Sequence, residues 1–236
     1  MKSVDIIIPI YYKNIAEIED SVNRQINDYN KNLRHYNWKI VIGINGPDRN
    51  GIMDKVKKIC QKNQNVVYDY TSETGRGASL NKIFVNSKAD FVCYMDVDLA
   101  TGIDAVPRML KELENNDLVV GSKYIKGSIH YRTAIRFLLS KTYNSIITKL
   151  VLNAKFTDAQ CGFKGMKVEA AKKITSLIRD KGWFWDTELL YIAQKKNLSF
   201  KEIPISWIEK GNSGVKLFKT IKEFIVKIIK LKYRNL

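Results

Sequence analysis

Phe91-Val92-Cys93-Tyr94-Met95-Asp96-Val97-Asp98 sets five apolar residues directly before two acids spaced i, i+2. A short, wholly apolar run bounded by polar residues reads as a strand buried on both faces of a parallel sheet. Further runs of this kind are expected at residues 4–10, 39–44, 66–70 and 118–120, separated by amphipathic stretches at 15–33, 51–63, 78–87 and 103–114. Strands alternating with helical patterns predict an α/β fold: a mixed, mostly parallel sheet flanked by helices. Right-handed crossovers would bring the C-terminal strand ends to one edge, where open α/β sheets bind ligands. Past residue 121 the pattern changes to a long helix over 132–153, a loop over 158–164, helices near 168–178 and 187–195, a strand near 199–205 and a helical end from 215. The organisation expected is one domain over 1–212, dividing near residue 120, followed by a basic amphipathic helix over 213–236.

With 40 Lys+Arg against 24 Asp+Glu, the 236-residue chain carries a formal charge of +16, which favours polyanions: nucleic acid, anionic lipid or phosphorylated small molecules. A general enrichment in surface lysine is the competing explanation. Base-stacking aromatics interleaved with a basic strand pattern are not evident, so nucleic acid is not the expected partner, and a basic nucleic-acid-binding protein stays a lesser alternative. Cys60, Cys93 and Cys161 form no CxxC pair, which suits a reducing compartment. Met1 leads almost directly into an apolar strand, and no uncharged run approaches the ~20 residues of a membrane span. The expected location is therefore cytoplasmic.

Side chains at i and i+2 of an extended chain point the same way, so Asp96 and Asp98 can address one hard cation. Mg²⁺ or Mn²⁺ takes one or two carboxylates and completes its shell with phosphate oxygens and water, and it would neutralise a departing nucleoside diphosphate. Two solvated aspartates in a turn are the plainer alternative; the preceding buried strand favours the metal. Thr74-Gly75-Arg76-Gly77-Ala78 offers glycines for close backbone approach, a helix N-terminus and a guanidinium, all suited to phosphate, although a simple turn and cap has the same composition. A dinucleotide fingerprint is disfavoured because Leu80 replaces its third glycine, and no P-loop occurs. His35 and His130 stand apart from any cysteine or acid cluster, which argues against a zinc site or a Ser/His/Asp triad.

In order along the chain these motifs resemble family 2 glycosyltransferases of the GT-A fold, specifically the polyprenyl-phosphate (dolichyl-phosphate) glucosyl- and mannosyltransferases. The likeness runs through Ile8-Pro9-Ile10-Tyr11-Tyr12, Gly75-Arg76-Gly77-Ala78, Asp96/Asp98, Gly121-Ser122-Lys123-Tyr124, Arg132, Asp158 with Cys161-Gly162-Phe163-Lys164, Phe184-Trp185-Asp186-Thr187-Glu188, Pro204, Trp207 and Ser213. It implies a metal-dependent inverting hexosyltransferase. Residues 1–120 would bind the nucleotide sugar through Pro9, Tyr11, Asn45, Arg76, Gly77, Asp96 and Val97, and residues 121–212 would bind the acceptor. The chain departs from the family at Lys13 and Asn14, where an acid usually stands, and at Asn45, which replaces an Asp that accepts from the base. Ala100 occupies a position where mannosyl members often carry Gln, so the resemblance favours UDP-glucose over GDP-mannose.

The acceptor so implied is a polyprenyl phosphate. A phosphomonoester is largely dianionic at pH 7 and needs cationic partners rather than a general base. The candidates are Arg132, Arg136 and Lys164, with Lys123 behind them, although solvated surface charges are an equally good account of each. A hydroxyl acceptor on a glycan, the main alternative, would need a base, for which Asp186 is the candidate; otherwise Asp186 orients a basic residue or a sugar hydroxyl. Leu217, Phe218, Ile221, Phe224, Ile225, Ile228 and Ile229 form one apolar helical stripe flanked by lysines. Such a helix is expected either to lie on an anionic membrane surface, giving a peripheral protein at the cytoplasmic face, or to dock on its own domain.

Overall fold

The computed structural model describes residues 1–131, 141, 142, 144, 148–208 and 217–236. Strands β1 (Lys2–Ile10), β2 (Tyr36–Asn45), β3 (Val66–Thr71), β4 (Phe91–Met95), β5 (Leu118–Ser122), β7 (Phe163–Lys167) and β8 (Phe200–Pro204) form a seven-stranded sheet in the order β3-β2-β1-β4-β7-β5-β8. Every pairing is parallel except those of β7, which runs antiparallel between β4 and β5. A two-stranded ribbon joins β6 (Ile129–Tyr131) to β9 (Ser206–Ile208).

The strands alternate their side chains between two cores. Ile6, Ile8, Ile10, Ile40, Ile42, Ile44, Cys93 and Met95 enter one; Ile7, Val41, Val92 and Tyr94 enter the other. Burying one such aliphatic side chain contributes roughly 1.5–3 kcal/mol, and a one-residue slip would exchange every one of them between faces, so the register is tightly held. Helices α1 (Ile18–Asn32), α2 (Ile52–Lys62) and α4 (Ala105–Leu113) fill the first core with Ile18, Val22, Val56, Ile59, Met109 and Leu110. Helices α3 (Arg76–Asn86), α6 (Val168–Thr175) and α7 (Trp185–Lys195) fill the second, joined by the short α5 (Thr148–Leu152) and by α8 (Leu217–Lys232).

Three expectations are refined. The loop foreseen over 158–164 gives way at Phe163 to strand β7, whose Phe-Lys-Gly-Met-Lys sequence has no apolar run to announce it. Of the long helix expected over 132–153, Thr148–Leu152 is helical, and residues 132–140, 143 and 145–147 lie outside the described residues. Of the single apolar stripe expected on the last helix, the side chains of Leu217, Phe218 and Ile221 lie outside the described residues, and the described apolar side chains divide between two faces. Phe224, Ile228 and Leu231, at i, i+4 and i+7, are buried in the second core, while Ile225, Val226 and Ile229 face outward. Ion pairs from Lys227 to Asp180 (2.6 Å) and from Arg234 to Glu188 help fix that docking. Among the described residues no helix is long and apolar enough to cross a membrane.

Candidate active site

Because β1, β2, β4 and β5 are parallel, their C-terminal ends share one edge, and antiparallel β7 begins there, with Phe163 opposite Met95. Topology thus brings Tyr11, Asn45, Asp96, Gly162 and Lys123, far apart in sequence, to one rim. A cleft of about 790 Å³ opens at this edge, and Pro9, Tyr11, Asn45, Arg76, Asp96, Val97 and Asp98 all line it. Asp96 rests against the Cα of Gly162, where a Cβ would run into its carboxylate, which explains why glycine follows Cys161. The Asp98 carboxylate accepts the Ala100 N–H at 3.0 Å across a turn in which Leu99 takes a left-handed φ of 53°. Two hard oxygen ligands from one strand end, in a cleft large enough for a nucleotide, fit a Mg²⁺- or Mn²⁺-type cation that completes its shell with phosphate and water.

Arg76 opens α3 at the cleft, so the positive helix terminus and its guanidinium face the same space. It donates to Asp96 Oδ1 at 2.8 Å and also pairs with Asp186. Burial works against the Arg76 charge, but Asp186 and Asp96 outweigh it and raise its pKa. Asp186 lies beneath, with no exposed surface, and accepts from Arg76, from the Tyr94 hydroxyl and from Lys164 Nζ at 2.7 Å. Burial would raise its pKa, yet Arg76 and Lys164 together hold it below the usual carboxylate value. Asp96 shows the opposite balance: desolvation, helped by Asp98 and opposed by Arg76, pushes its carboxyl up.

This geometry revises several roles. Lys164, expected at the acceptor phosphate, is fully buried; besides Asp186 it donates to the Cys161 carbonyl at 2.5 Å. It is a partner of Asp186 under the cleft rather than a group facing it. Asp186, the candidate base, is likewise sealed from the cleft. Lys123 pairs with Asp158 at 2.6 Å, and that carboxylate raises its pKa in spite of burial. Asn45 does line the cleft, but its amide donates to the Ile10 carbonyl (2.6 Å) and accepts the Gly75 N–H (3.0 Å), clasping β1 to the loop before α3. Gly77 faces Trp185, whose ring a Cβ would approach to 2.8 Å, so this glycine permits α3 to meet α7. Arg132 and Arg136 lie outside the described residues.

Sequence reasoning missed Glu17, Asp20, Arg24 and Trp183, all on the cleft. Glu17 stands a few residues beyond the position where the family's acid was sought: a 3-10 turn over Tyr12–Ala16 carries the chain round, and Asn14 donates to Glu17 at 3.1 Å. The spacing of Glu17, Asp20 and Arg24, at i, i+3 and i+7 along the start of α1, was the signal available for these three.

The glycosyl transferase family 2 model matches residues 5–175. The chain belongs to glycosyl transferase family 2. The rim just described is the candidate active site of this family member. The chain is 27% identical over 225 residues to glycosyltransferase AglD of Haloferax volcanii, covering 92% of this chain and 35% of that protein. It is 27% identical over 196 residues to a dolichyl-phosphate beta-glucosyltransferase of Trichomonas vaginalis, covering 79% of this chain and 58% of that one. It is 25% identical over 222 residues to the human dolichyl-phosphate beta-glucosyltransferase, covering 88% and 68%. This chain thus spans only part of these relatives. Among solved structures, glucosyl-3-phosphoglycerate synthase from Mycobacterium tuberculosis in complex with Mn²⁺, UDP and phosphoglyceric acid superposes with a TM-score of 0.68 at 13% identity, covering 100% of this chain and 80% of that one. At that identity the likeness shows the fold, GT-A.

Proposed function

We propose that this glycosyltransferase moves a glucosyl group, with inversion, from UDP-glucose to a polyprenyl phosphate at a membrane surface, with Mg²⁺ or Mn²⁺ held by Asp96 and Asp98. The observation that carries the reading is that Asp96, bonded to Arg76, and Asp98 stand together on the lining of a nucleotide-sized cleft. The dolichyl-phosphate glucosyltransferases among its relatives supply the sugar and acceptor classes. The structural neighbour with bound Mn²⁺ and UDP supports the cation and the base.

Asp96 and Asp98 would hold the cation, which when bound would supply positive charge for the leaving diphosphate. Arg76, fixed between Asp96 and Asp186, adds a preorganised positive charge beside the same oxygens. Pro9 and Tyr11 hold the nucleoside end. The acceptor phosphate attacks the anomeric carbon from the face opposite the leaving group and needs no general base. The burial of Asp186 supports this choice, because the base that a hydroxyl acceptor would demand is sealed under Arg76 and serves to orient it. Arg132 and Arg136 are proposed to receive the phosphate, with Lys123 behind them. Residues 1–120 then form the donor half and 121–212 the acceptor half, while the outward Ile225, Val226 and Ile229, flanked by Lys222 and Lys230, suit the interface of an anionic membrane at its cytoplasmic face.

The test is a panel of labelled nucleotide sugars with polyprenyl phosphate, with and without Mg²⁺ or Mn²⁺. Metal-dependent label in the lipid from UDP-glucose is expected. Label appearing instead on a free saccharide, or only from GDP-mannose, would replace the acceptor or the donor.

A further inference from the structure

Of the four tryptophans, Trp38 and Trp185 are buried and Trp207 half-buried, whereas Trp183 is 54% exposed, on the wall of the cleft. An indole left in water is unfavourable, so an exposed one at a cleft wall asks for a reason. Trp183 is also held in place. The N–H groups of Arg179 and Asp180 donate to the Glu188 carboxylate at 3.0 and 2.8 Å, and the Gly182 N–H donates to Asp180 Oδ1 at 2.8 Å. The Lys181 carbonyl accepts the Ala78 N–H at 3.3 Å and packs so closely on Gly75 that a Cβ there would collide with it. The strap over residues 179–183 is thus pinned to α7 on one side and to the start of α3 on the other. The Arg76 guanidinium lies 4.5 Å from the centre of the Trp183 ring, a cation–π contact that occupies one side of the indole.

We infer that Trp183 is a sugar platform: the open side of its indole receives the pyranose ring of the donor. This rests on the donor reading above and adds a specificity residue to it. A nucleotide sugar is ordered base, ribose, diphosphate, hexose. Tyr11 and Asn45 stand at the ends of β1 and β2, and the two aspartates stand at the end of β4. The hexose lies on the far side of the diphosphate from the base. Arg76 bonds Asp96 and carries Trp183 on its other side, so the indole stands one residue beyond the carboxylate assigned to the diphosphate. A pyranose presents axial C–H bonds that stack on the electron-rich face of an aromatic ring, whereas a nucleoside diphosphate without sugar offers that face nothing.

The experiment compares binding of UDP and of UDP-glucose, each with Mn²⁺, to the wild-type chain and to Trp183→Ala and Trp183→Phe by titration calorimetry, with Tm recorded for each variant. Trp183→Ala is expected to weaken UDP-glucose by about three- to tenfold while leaving UDP unchanged, and Trp183→Phe, which keeps an aromatic face, to recover most of the loss. Equal weakening of both ligands, or of neither, in a wild-type background that binds both would overturn the platform and leave the donor reading standing. A wild-type chain that binds neither ligand would overturn both.

Discussion

Asp96 and Asp186 both pair with Arg76, one at the rim of the cleft and one beneath its floor. The Asp96 side chain keeps 39% of its surface, lies against Gly162 and stands two residues from a second acid; Asp186 has no exposed surface and is surrounded by two cations and a tyrosine hydroxyl. Their pKa values accordingly move apart, upward at the rim and downward at the floor. The contrast teaches that identical side chains on one guanidinium do different work according to what remains for them to bind. The rim carboxylate has cleft on one side and is suited to a ligand. The floor carboxylate is already saturated and keeps Arg76 in position.

The contrast breaks most visibly at the floor. Asp186→Ala leaves Arg76 and Lys164 buried without their shared partner, and removing one side of a buried ion pair costs about 3–5 kcal/mol. For a chain of this length that corresponds to a Tm lower by roughly 6–20 °C, measurable by thermal denaturation. An unchanged Tm would show that the floor is not a structural cluster. At the rim the expected effect is on turnover. Asp98→Ala removes a proposed cation ligand from the cleft edge and should lower transfer by on the order of 10²–10³-fold, with Tm within about 2 °C of wild type. A variant that loses Tm and rate in parallel would erase the distinction between rim and floor.

pH sharpens the same comparison. The folded-state pKa of Asp186 is depressed, so its contribution is fully present above its unfolded value, about 3.9, and is lost as pH falls through the lower folded value. The folded-state pKa of Asp96 is raised, so its ionisation opposes folding above that value and ceases to do so as it protonates. Asp186→Asn should therefore lower Tm at pH 7 by a margin that narrows below about pH 4, while Asp96→Asn should hold or slightly raise Tm at pH 7. Parallel Tm–pH curves for the two variants would contradict the opposite shifts. The smallest effect is expected on the outward face of α8. Replacing Ile225 and Ile229 with serine should reduce sedimentation with anionic vesicles while Tm stays within about 2 °C, because the buried partners on that helix are Phe224, Ile228 and Leu231. Unaltered vesicle binding would remove that face from the membrane account.

What could be read from sequence followed the strength of local pattern. The parallel strands and the Asp96/Asp98 pair were visible because five apolar residues preceding two acids leave few other interpretations. Strand β7 was not, since Lys164 and Lys167 break its hydrophobicity; only the structure shows that Lys164 faces Asp186 inside the protein. For the same reason sequence alone offers Lys164 to the acceptor phosphate and leaves Asp186 open between a base and the partner of a basic residue, because a charged residue looks like a surface residue until its partner is known. The last helix was ambiguous in principle. Its apolar positions are numerous enough to serve two faces, and periodicity alone does not say which face docks. Trp183 immediately precedes the Phe184-Trp185 motif, but its exposure depends on a strap fixed by Glu188 and by Gly75, the latter remote in sequence.

The most direct test of the central claim, that Asp96 and Asp98 hold a cation which carries the donor diphosphate, is calorimetric titration of UDP into the wild-type chain and into Asp98→Ala, each with Mn²⁺ and with a chelator. UDP should bind the wild-type chain only when Mn²⁺ is present, and the variant should show no such gain. Equal UDP affinity with metal and with chelator, or an undiminished metal-dependent gain in Asp98→Ala, would contradict it.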